Sequence, residues 1–219
     1  MCTRYVSPTQ ADLEREWHIG GRNPPRWWEP AMYPRAQGPF IRPDRVDPGQ
    51  GVELVVGQWG LIPHFAQSPK LTYSTCNARR EEMATKASYR GPWARAQRCV
   101  IPAVSFDEPC WETGRNVWWS FRRADGALWK LAGLWATWMD PQTGEGHESF
   151  TMLTINADSH PVMCRMHKPD PKLSPGQQDK RSVVALADSD VGAWLYGTQQ
   201  EARALLRPPP VEWIEATHG

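Results

Sequence analysis

The chain has 219 residues and a formal net charge of only +1, so its overall charge gives no argument for a polyanionic partner. This length suits one hydrophobic core, and we expect a single domain over residues 1–219. The 13 Trp and 21 Pro exceed average usage, and frequent Pro disfavours long helices and central strands. The composition therefore favours short elements joined by many stiff loops.

The cysteine pattern and the apolar runs predict the cellular compartment. The 5 cysteines are odd in number and form no CxxC pair, which argues against a disulfide framework. The N-terminus lacks the layout of a signal peptide, and no apolar run approaches the roughly 20 residues that span a bilayer. We therefore expect a soluble, cytoplasmic protein with free thiols and no membrane contact. The cysteines are Cys2, Cys76, Cys99, Cys110 and Cys164.

The first part of the chain predicts a short helix and a long loop. Ser7 and Pro8 precede TQADLEREW, and this order predicts a helix with Ser7 as its N-cap and Pro8 at its first position. Residues 20–50 are so rich in Pro and Gly that we expect a long surface loop, which carries many Arg and Trp.

The rest of the chain predicts short strands followed by short helices. Asp125-Gly126 predicts a hairpin turn between two of the strands. Asp188–Asp190 and Thr198 are expected to cap two short C-terminal helices. The fold class is therefore α+β with β-structure dominant. Runs of β-branched or aromatic residues predict strands at 52–59, 98–106, 116–123, 127–138, 149–157 and 182–187.

The first candidate for chemistry is Cys2, which follows Met1 directly. Removal of Met1 would expose a 1,2-aminothiol, whose amine has a reference pKa of about 8 and whose thiol has one of about 8.5. Such a group forms a Schiff base with an aldehyde and then closes to a thiazolidine. The alternative interpretation is that Cys2 has no role and stands at the second codon by accident.

Three further segments carry polar side chains of the types that such chemistry needs. Asn77 is followed by Arg79 and Arg80, so an amide could face a site and two guanidinium groups could meet phosphate. The other interpretation is a turn Asn before a solvated helix. Asp107 and Glu108 end a predicted strand, where a carboxylate could act as a general base or begin a surface turn.

The third segment, TINADSHPVMCRMHKP, contains His160 and His167. A histidine near neutrality can pass a proton to a sugar ring oxygen and help to open it, although a lone histidine can also be a satisfied structural group. Cys164 between them could suggest zinc, but no second pair of ligands stands at a suitable distance, and we expect neither a metal nor a cofactor.

These segments, taken in order, resemble the motifs of the SOS-response-associated peptidase (SRAP) family. The matching motifs are MCTRY at 1–5, QWGLIP at 58–63, NARRE at 77–81, RCVIPAVSFDE at 98–108 and the late His segment. The resemblance implies a β-rich domain with strongly curved, barrel-like antiparallel sheets and a few short helices. It also implies an N-terminal Cys that crosslinks to abasic sites in single-stranded DNA in the SOS response, after autoproteolytic release of the initiator Met.

Carried onto this chain, the resemblance makes Cys2 the nucleophile, Asn77 the group that positions the amine or the sugar, and Glu108 the acid/base. The family's late His is followed closely by an Arg and a β-branched run. Taking the Pro-rich residues 168–179 as an insertion makes His167 the catalytic His and Arg181 the motif Arg, with His160 as the second choice.

DNA binding is expected from local features, because the net charge is small. A wedge after QWGLI is expected to pack against an exposed base, since stacking on aromatic rings tolerates any sequence. Trp27 and Trp28, between Arg22, Arg26 and Arg35, could do the same. The expected phosphate contacts are Arg4, Arg79, Arg80 and Arg181, and the expected wedge is Pro63, His64 and Phe65.

Other functions remain open at the level of sequence. The exposed Cys and its acid/base partners would also suit an N-terminal-nucleophile cysteine peptidase that acts on other chains. A non-catalytic module for single-stranded DNA could use the Arg and Trp loop alone. An abasic-site lyase that cuts the strand through a transient Schiff base could coexist with crosslinking. We expect a monomer that associates with the nucleoid when it is bound to DNA.

Overall fold

The computed structural model describes residues 2–19, 28–46, 49 and 51–218, and within these ranges it has twelve strands and four short α-helices. The strands are β1 (Arg4–Val6), β2 (Ala31–Met32), β3 (Gln37–Pro43), β4 (Val52–Trp59), β5 (Asn77–Arg79), β6 (Arg98–Ala103), β7 (Ser105–Cys110), β8 (Val117–Arg123), β9 (Trp129–Met139), β10 (Gly146–Asn156), β11 (Arg181–Val183) and β12 (Ile214–His218). The helices are α1 (Gln10–Trp17), α2 (Ala87–Ala94), α3 (Val191–Tyr196) and α4 (Gln199–Ala204). None of these helices is long and apolar enough to cross a membrane.

Five strands close into a barrel in the order β10-β4-β3-β6-β9, because β10 pairs with both β4 and β9. Two glycines, one on β4 and one on β9, permit these strands to lie close to β10. A Cβ at Gly57 would lie 2.7 Å from the carbonyl oxygen of Glu148, and one at Gly133 would lie 2.8 Å from that of Thr151. Side chains at these positions would push β4 and β9 away from β10. The expected β-rich fold with barrel-like sheets and few short helices is confirmed.

A second sheet packs beside the barrel in the order β12-β8-β7-β1-β2, with every pairing antiparallel. Apolar rings fill the space between the two sheets. Tyr5 meets Trp59 of the barrel edge-on at 4.9 Å between ring centroids, and Phe106 meets Trp129 of the barrel at 5.5 Å. Since all four side chains are fully buried, this packing fixes β1, and with it the residues just before β1.

Several predicted elements differ from the structure. The predicted strand 98–106 is two strands, β6 and β7, and the chain passes between the sheets at Val104, whose N–H donates to the Val6 carbonyl. The hairpin predicted at Asp125-Gly126 is wrong. A turn is present there, but β8 and β9 belong to different sheets and do not pair. The turn residues are the same in both cases, so local sequence cannot separate the two outcomes.

The N-cap of α1 is Thr9 and not Ser7, because Thr9 and Asp12 form a reciprocal capping box. The loop predicted at 20–50 is also wrong in part, since β2 and β3 lie within it, while residues 20–27 lie outside the described ranges. The strand β3 pairs with β4 along its length but with β6 only at Ile41, so its prolines break few ladder hydrogen bonds.

Candidate active site

The N-terminal residues are held against β7, which brings Cys2 into the core. Arg4 pairs with Asp107 and Tyr5 pairs with Phe106 in the antiparallel register of β1 and β7. Cys2 is fully buried, and its Sγ–H donates to the carbonyl oxygen of Arg4 at 3.3 Å.

Burial raises the pKa of the Cys2 thiol well above its usual range, and the negative charge of Glu108 raises it further. Both causes disfavour the thiolate. The resting thiol is therefore protonated at neutral pH, and a base must take its proton when it reacts. Arg4, two residues after Cys2, pairs with Asp107, so the register of β1 and β7 brings the Cys2 end of the chain alongside the strand that carries Glu108.

Asn77 binds the backbone of the candidate nucleophile. It begins β5, which runs parallel to β10, and its Nδ2 donates to the carbonyl oxygen of Cys2 at 2.8 Å. Its Oδ1 is a buried atom with no hydrogen-bond partner among the described residues. The amide therefore fixes Cys2 with its donor end and keeps an acceptor for an N–H or O–H group that enters the site.

Glu108 and His167 form the second half of the site. Glu108 lies on β7 with 1% of its surface exposed, and its Oε2 accepts from His167 Nε2 at 2.8 Å. The His167 side chain is 16% exposed, so this pair connects the buried carboxylate to the surface. A carboxylate and an imidazole in contact can accept, hold and return a proton.

The structure gives His160 a different environment. Its Nδ1 accepts from the backbone N–H groups of Val162 and Met163 at 3.2 and 3.0 Å, and its Nε2 lies 2.9 Å from the carbonyl oxygen of Pro209. Both ring nitrogens are thus bonded to backbone. Of the two candidate histidines, the structure brings His167 against Glu108 and uses His160 to hold a turn.

The arginines expected at DNA phosphates are partly engaged with carboxylates. The Arg4 side chain is 43% exposed, and its guanidinium pairs with Asp107 at 2.8 Å. Arg79 is 38% exposed and pairs with Asp179 at 3.1 Å. Arg80 is half-buried. These groups reach the surface, where a phosphate could meet them.

Arg181 does not fit the phosphate contact that was expected of it. Only 3% of its side chain is exposed, and its Nη1 lies 2.7 Å from Glu81 and 3.0 Å from Asp179. Its Nη2 donates to the Thr154 carbonyl at 3.1 Å. A guanidinium buried among these partners joins β11, β10 and the segment after β5, and we remove it from the expected DNA contacts.

Two residues of the expected wedge lie at the surface and the third is buried. His64 and Phe65 are exposed and meet edge-on at 5.4 Å between ring centroids, whereas Pro63 is buried. Trp28 is also buried, and its Nε1 donates to the Pro8 carbonyl at 3.0 Å, so it is not a surface ring. Arg22, Arg26 and Trp27 lie outside the described residues.

Sequence reasoning missed Tyr89, which lies on α2. Its side chain is buried, and its hydroxyl donates to the carbonyl oxygen of Asn77 at 3.1 Å. A tyrosine in an unpredicted helix gives no sequence signal for this contact. Among the described residues, no group of three His, Cys, Asp or Glu side chains could hold a metal ion.

Comparisons with known proteins place this chain in a family. The family model described as SOS response associated peptidase (SRAP) matches residues 1–218. The abasic site processing protein YoqW of Bacillus subtilis is 30% identical over 177 residues, covering 78% of this chain and 71% of that protein. The abasic site processing protein HMCES of Gallus gallus is 25% identical, covering 86% of this chain and 63% of that protein.

A solved structure is similar over the whole length. The crystal structure of a Bordetella bronchiseptica protein superposes with a TM-score of 0.84 at 34% identity, covering 100% of this chain and 99% of that one. A Bacteroides thetaiotaomicron structure with a TM-score of 0.80 is 21% identical and shares the fold.

Proposed function

The chain belongs to the SOS response associated peptidase family, and on this premise we propose that it processes abasic sites in single-stranded DNA by forming a covalent crosslink through Cys2. The buried Cys2 beside Asn77 and the Glu108–His167 pair is the observation that carries this proposal. The relatives named as abasic site processing proteins support the choice of substrate.

The reaction begins after hydrolysis of the peptide bond between Met1 and Cys2, which frees the amine of Cys2. We propose that the protein cuts this bond itself. The Cys2 thiol attacks the Met1 carbonyl carbon, the amide bond breaks as its nitrogen takes up the thiol proton, and water hydrolyses the resulting thioester to release Met1 and restore the thiol. The ring-opened abasic sugar presents an aldehyde at C1′. The amine nitrogen adds to this carbon, and the resulting carbinolamine loses its hydroxyl as water to give an imine. The thiol sulfur then adds to the same carbon, its proton passes to the nitrogen, and a thiazolidine results with net loss of one water.

Glu108 and His167 have separate roles in this scheme. Glu108 lies on β7, the strand that pairs with β1 just after Cys2, so we assign it to take protons from the amine and the thiol. His167 is bonded to Glu108 and partly exposed, so it is placed to protonate the sugar ring oxygen as the ring opens. The contact between them lets the proton taken by one group be given back by the other.

Asn77 holds the reacting residue still. Its bond to the Cys2 carbonyl fixes the backbone that carries both the amine and the thiol. Its buried Oδ1 has the acceptor character that would bind an amine N–H or a sugar hydroxyl. This arrangement would lower the orientational cost of bringing an aldehyde to the amine.

The DNA would lie across the surface near the partly exposed Arg4 and Arg79. Arg35, Thr75 and Cys76 line an open cavity of about 370 Å³, and Thr75 and Cys76 directly precede Asn77 in the chain. The exposed rings of His64 and Phe65 could stack on a base beside the lesion. Local cations and aromatic rings would thus provide the attraction to DNA that the small net charge does not.

The test is adduct formation on a denaturing gel with a uracil-containing oligonucleotide treated with uracil glycosylase. We expect a heat-stable adduct for the natural protein and none for Cys2→Ala. Cys164→Ala is the matched control, because Cys164 is the described cysteine that is not buried, and it should react normally. An adduct that survives in Cys2→Ala would refute the proposal, and equal binding to intact and abasic strands without an adduct would favour a binding module.

The imine also allows strand cleavage, which is the second activity that this chemistry supports. If a base removes a C2′ proton before the thiol closes the ring, the 3′ phosphate leaves by β-elimination. Since the thiol is protonated at rest, ring closure requires a base to take its proton, and elimination can compete for the same imine in the meantime. Borohydride reduction should trap the imine, and cleaved strands should increase in Cys2→Ser if the amine alone can form it.

A further inference from the structure

The side chain of Lys180 is buried beside the candidate site and has no role in the scheme above. Only 7% of its surface is exposed, and its Nζ donates to the carbonyl oxygens of Met166 at 2.8 Å and His167 at 2.5 Å. We propose that Lys180 is a positioning residue for His167, an inference that rests on the proposed crosslinking function.

His167 needs such support because of its backbone conformation. Its φ is +63°, in the left-handed region that non-Gly residues seldom occupy. A residue stays there only where its surroundings over-determine it. Three contacts do so here: its N–H donates to the Pro109 carbonyl at 2.6 Å, its carbonyl accepts from Lys180, and its ring donates to Glu108 at 2.8 Å.

The contact from Lys180 starts from a firmly held backbone. The Lys180 N–H donates to Asp158 Oδ1 at 2.8 Å, and its carbonyl accepts from the Ala157 N–H at 2.7 Å. Both partners lie just after β10, next to the start of β11. The ammonium group therefore connects the end of the barrel to the turn that carries His167.

The position of Lys180 in the chain explains why this contact is needed. The Pro-rich residues 168–179 separate His167 from Lys180. Without a link at its base, this segment would let the turn before it relax from the left-handed conformation. A lysine suits the link because an ammonium group has three donors and no acceptor, so it can bind two carbonyl oxygens at once.

Lys180 acts through His167 and is not a second amine nucleophile. An amine that attacks an aldehyde must be neutral and must face the substrate. The Lys180 Nζ instead points at two carbonyl groups of the main chain, both of which accept from it. Its removal should therefore change the placement of the imidazole and leave DNA binding intact.

The test replaces Lys180 by Met, which keeps the length of the side chain and removes its donors. We expect the single-turnover crosslinking rate at saturating protein to fall at least tenfold, with the Kd for an intact strand within twofold of the natural value. Lys172→Met is the matched control, because Lys172 is exposed in the same segment. The control should crosslink at the natural rate.

Histidine ¹⁵N spectra give a readout that does not depend on the reaction. In Lys180→Met, the ring signals of His167 should shift, while those of His160 should stay, because His160 is held by its own backbone partners. This measurement tests the positioning even if the natural protein forms no adduct, in which case the proposed function fails separately. Unchanged His167 signals with a rate within threefold of natural would overturn the inference, as would an equal shift of both histidines in a folded variant.

If Lys180→Met does not fold, Lys180→Gln provides the test of the positioning role. Glutamine keeps one N–H donor group and should give a rate between those of the natural protein and a loss of tenfold, with the His167 signals displaced and the His160 signals unchanged. A natural rate together with natural His167 signals in this variant would overturn the inference.

Discussion

Replacing Glu108 by Gln should slow crosslinking by at least about 100-fold. Gln has nearly the same size and can still accept from His167, so the 1% exposed site should keep its packing. A hydrogen bond to a charged group contributes about 1.5–3 kcal/mol, which corresponds to roughly 10- to 150-fold in rate. Loss of proton transfer itself is typically worth roughly 10²- to 10⁴-fold, so 100-fold is a lower bound.

The same substitution should change the stability little. Neutralising a buried carboxylate also removes the cost of keeping its charge away from water, which offsets the weaker bond. For a domain of this size, about 1 kcal/mol moves the Tm by about 2–4 °C, and we expect a shift within that range.

The assay is a single-turnover gel measurement at saturating protein, with fluorescence anisotropy on an intact strand for affinity. Glu112→Gln is the matched control, because Glu112 lies just beyond the same strand, is exposed and pairs with Arg165 at 2.7 Å. The control should react at the natural rate. A rate within threefold of natural for Glu108→Gln would refute the assignment of the base. A parallel loss of rate and affinity would make Glu108 a structural residue.

Other predictions follow from individual contacts. Asn77→Ala loses the bond to the Cys2 carbonyl, worth about 1 kcal/mol, and should slow crosslinking roughly fivefold in the same gel assay; an unchanged rate would contradict its role. Asp179→Asn removes the carboxylate that pairs with the partly exposed Arg79, at a left-handed position that Asn tolerates, so anisotropy should show tighter DNA binding with a steeper salt dependence. Unchanged affinity would mean that Arg79 does not meet phosphate. Because the folded state raises the thiol pKa of Cys2, its contribution to stability is present below the ordinary thiol pKa of about 8.5 and is lost as the pH rises through the folded value. Urea unfolding should therefore show a free energy of unfolding that falls as the pH rises above the ordinary thiol pKa, and it should fall less in Cys2→Ala. An equal fall with pH in both proteins would contradict this prediction.

The sequence predicts those elements whose secondary structure depends mainly on their own residues. The strand β4 matches the predicted 52–59 at both ends because its β-branched run is ended by Gly60, which adopts a φ of +134°. The strand β3 was missed because Pro and Gly in the surrounding window predict a loop, while its place in the barrel depends on pairing with β4 and β6. The helix α2 contains Gly91 and Pro92, and packing overrides both.

The sequence predicts the side chains of the candidate site but not the residues that hold them in place. Cys2, Asn77 and Glu108 are residue types with evident chemistry at positions that the family resemblance marks. Lys180 and Tyr89 act on backbone carbonyl groups, which the sequence does not reveal.

Arg181 was predicted to contact DNA phosphate, whereas the structure pairs its guanidinium with the carboxylates of Glu81 and Asp179. A cation at the start of a short strand has the same sequence pattern whether it meets a phosphate or a carboxylate. Its partner Glu81 is 100 positions away in the chain, and only the fold brings the two together.

The most direct test of the account is the intact mass of the purified protein before and after reaction with an abasic oligonucleotide. We predict a chain without Met1, and an adduct whose mass equals protein plus oligonucleotide less one water, as thiazolidine formation requires. Cys2→Ala should give no such species. A protein that keeps Met1, or a processed protein that gives no adduct, would contradict the account.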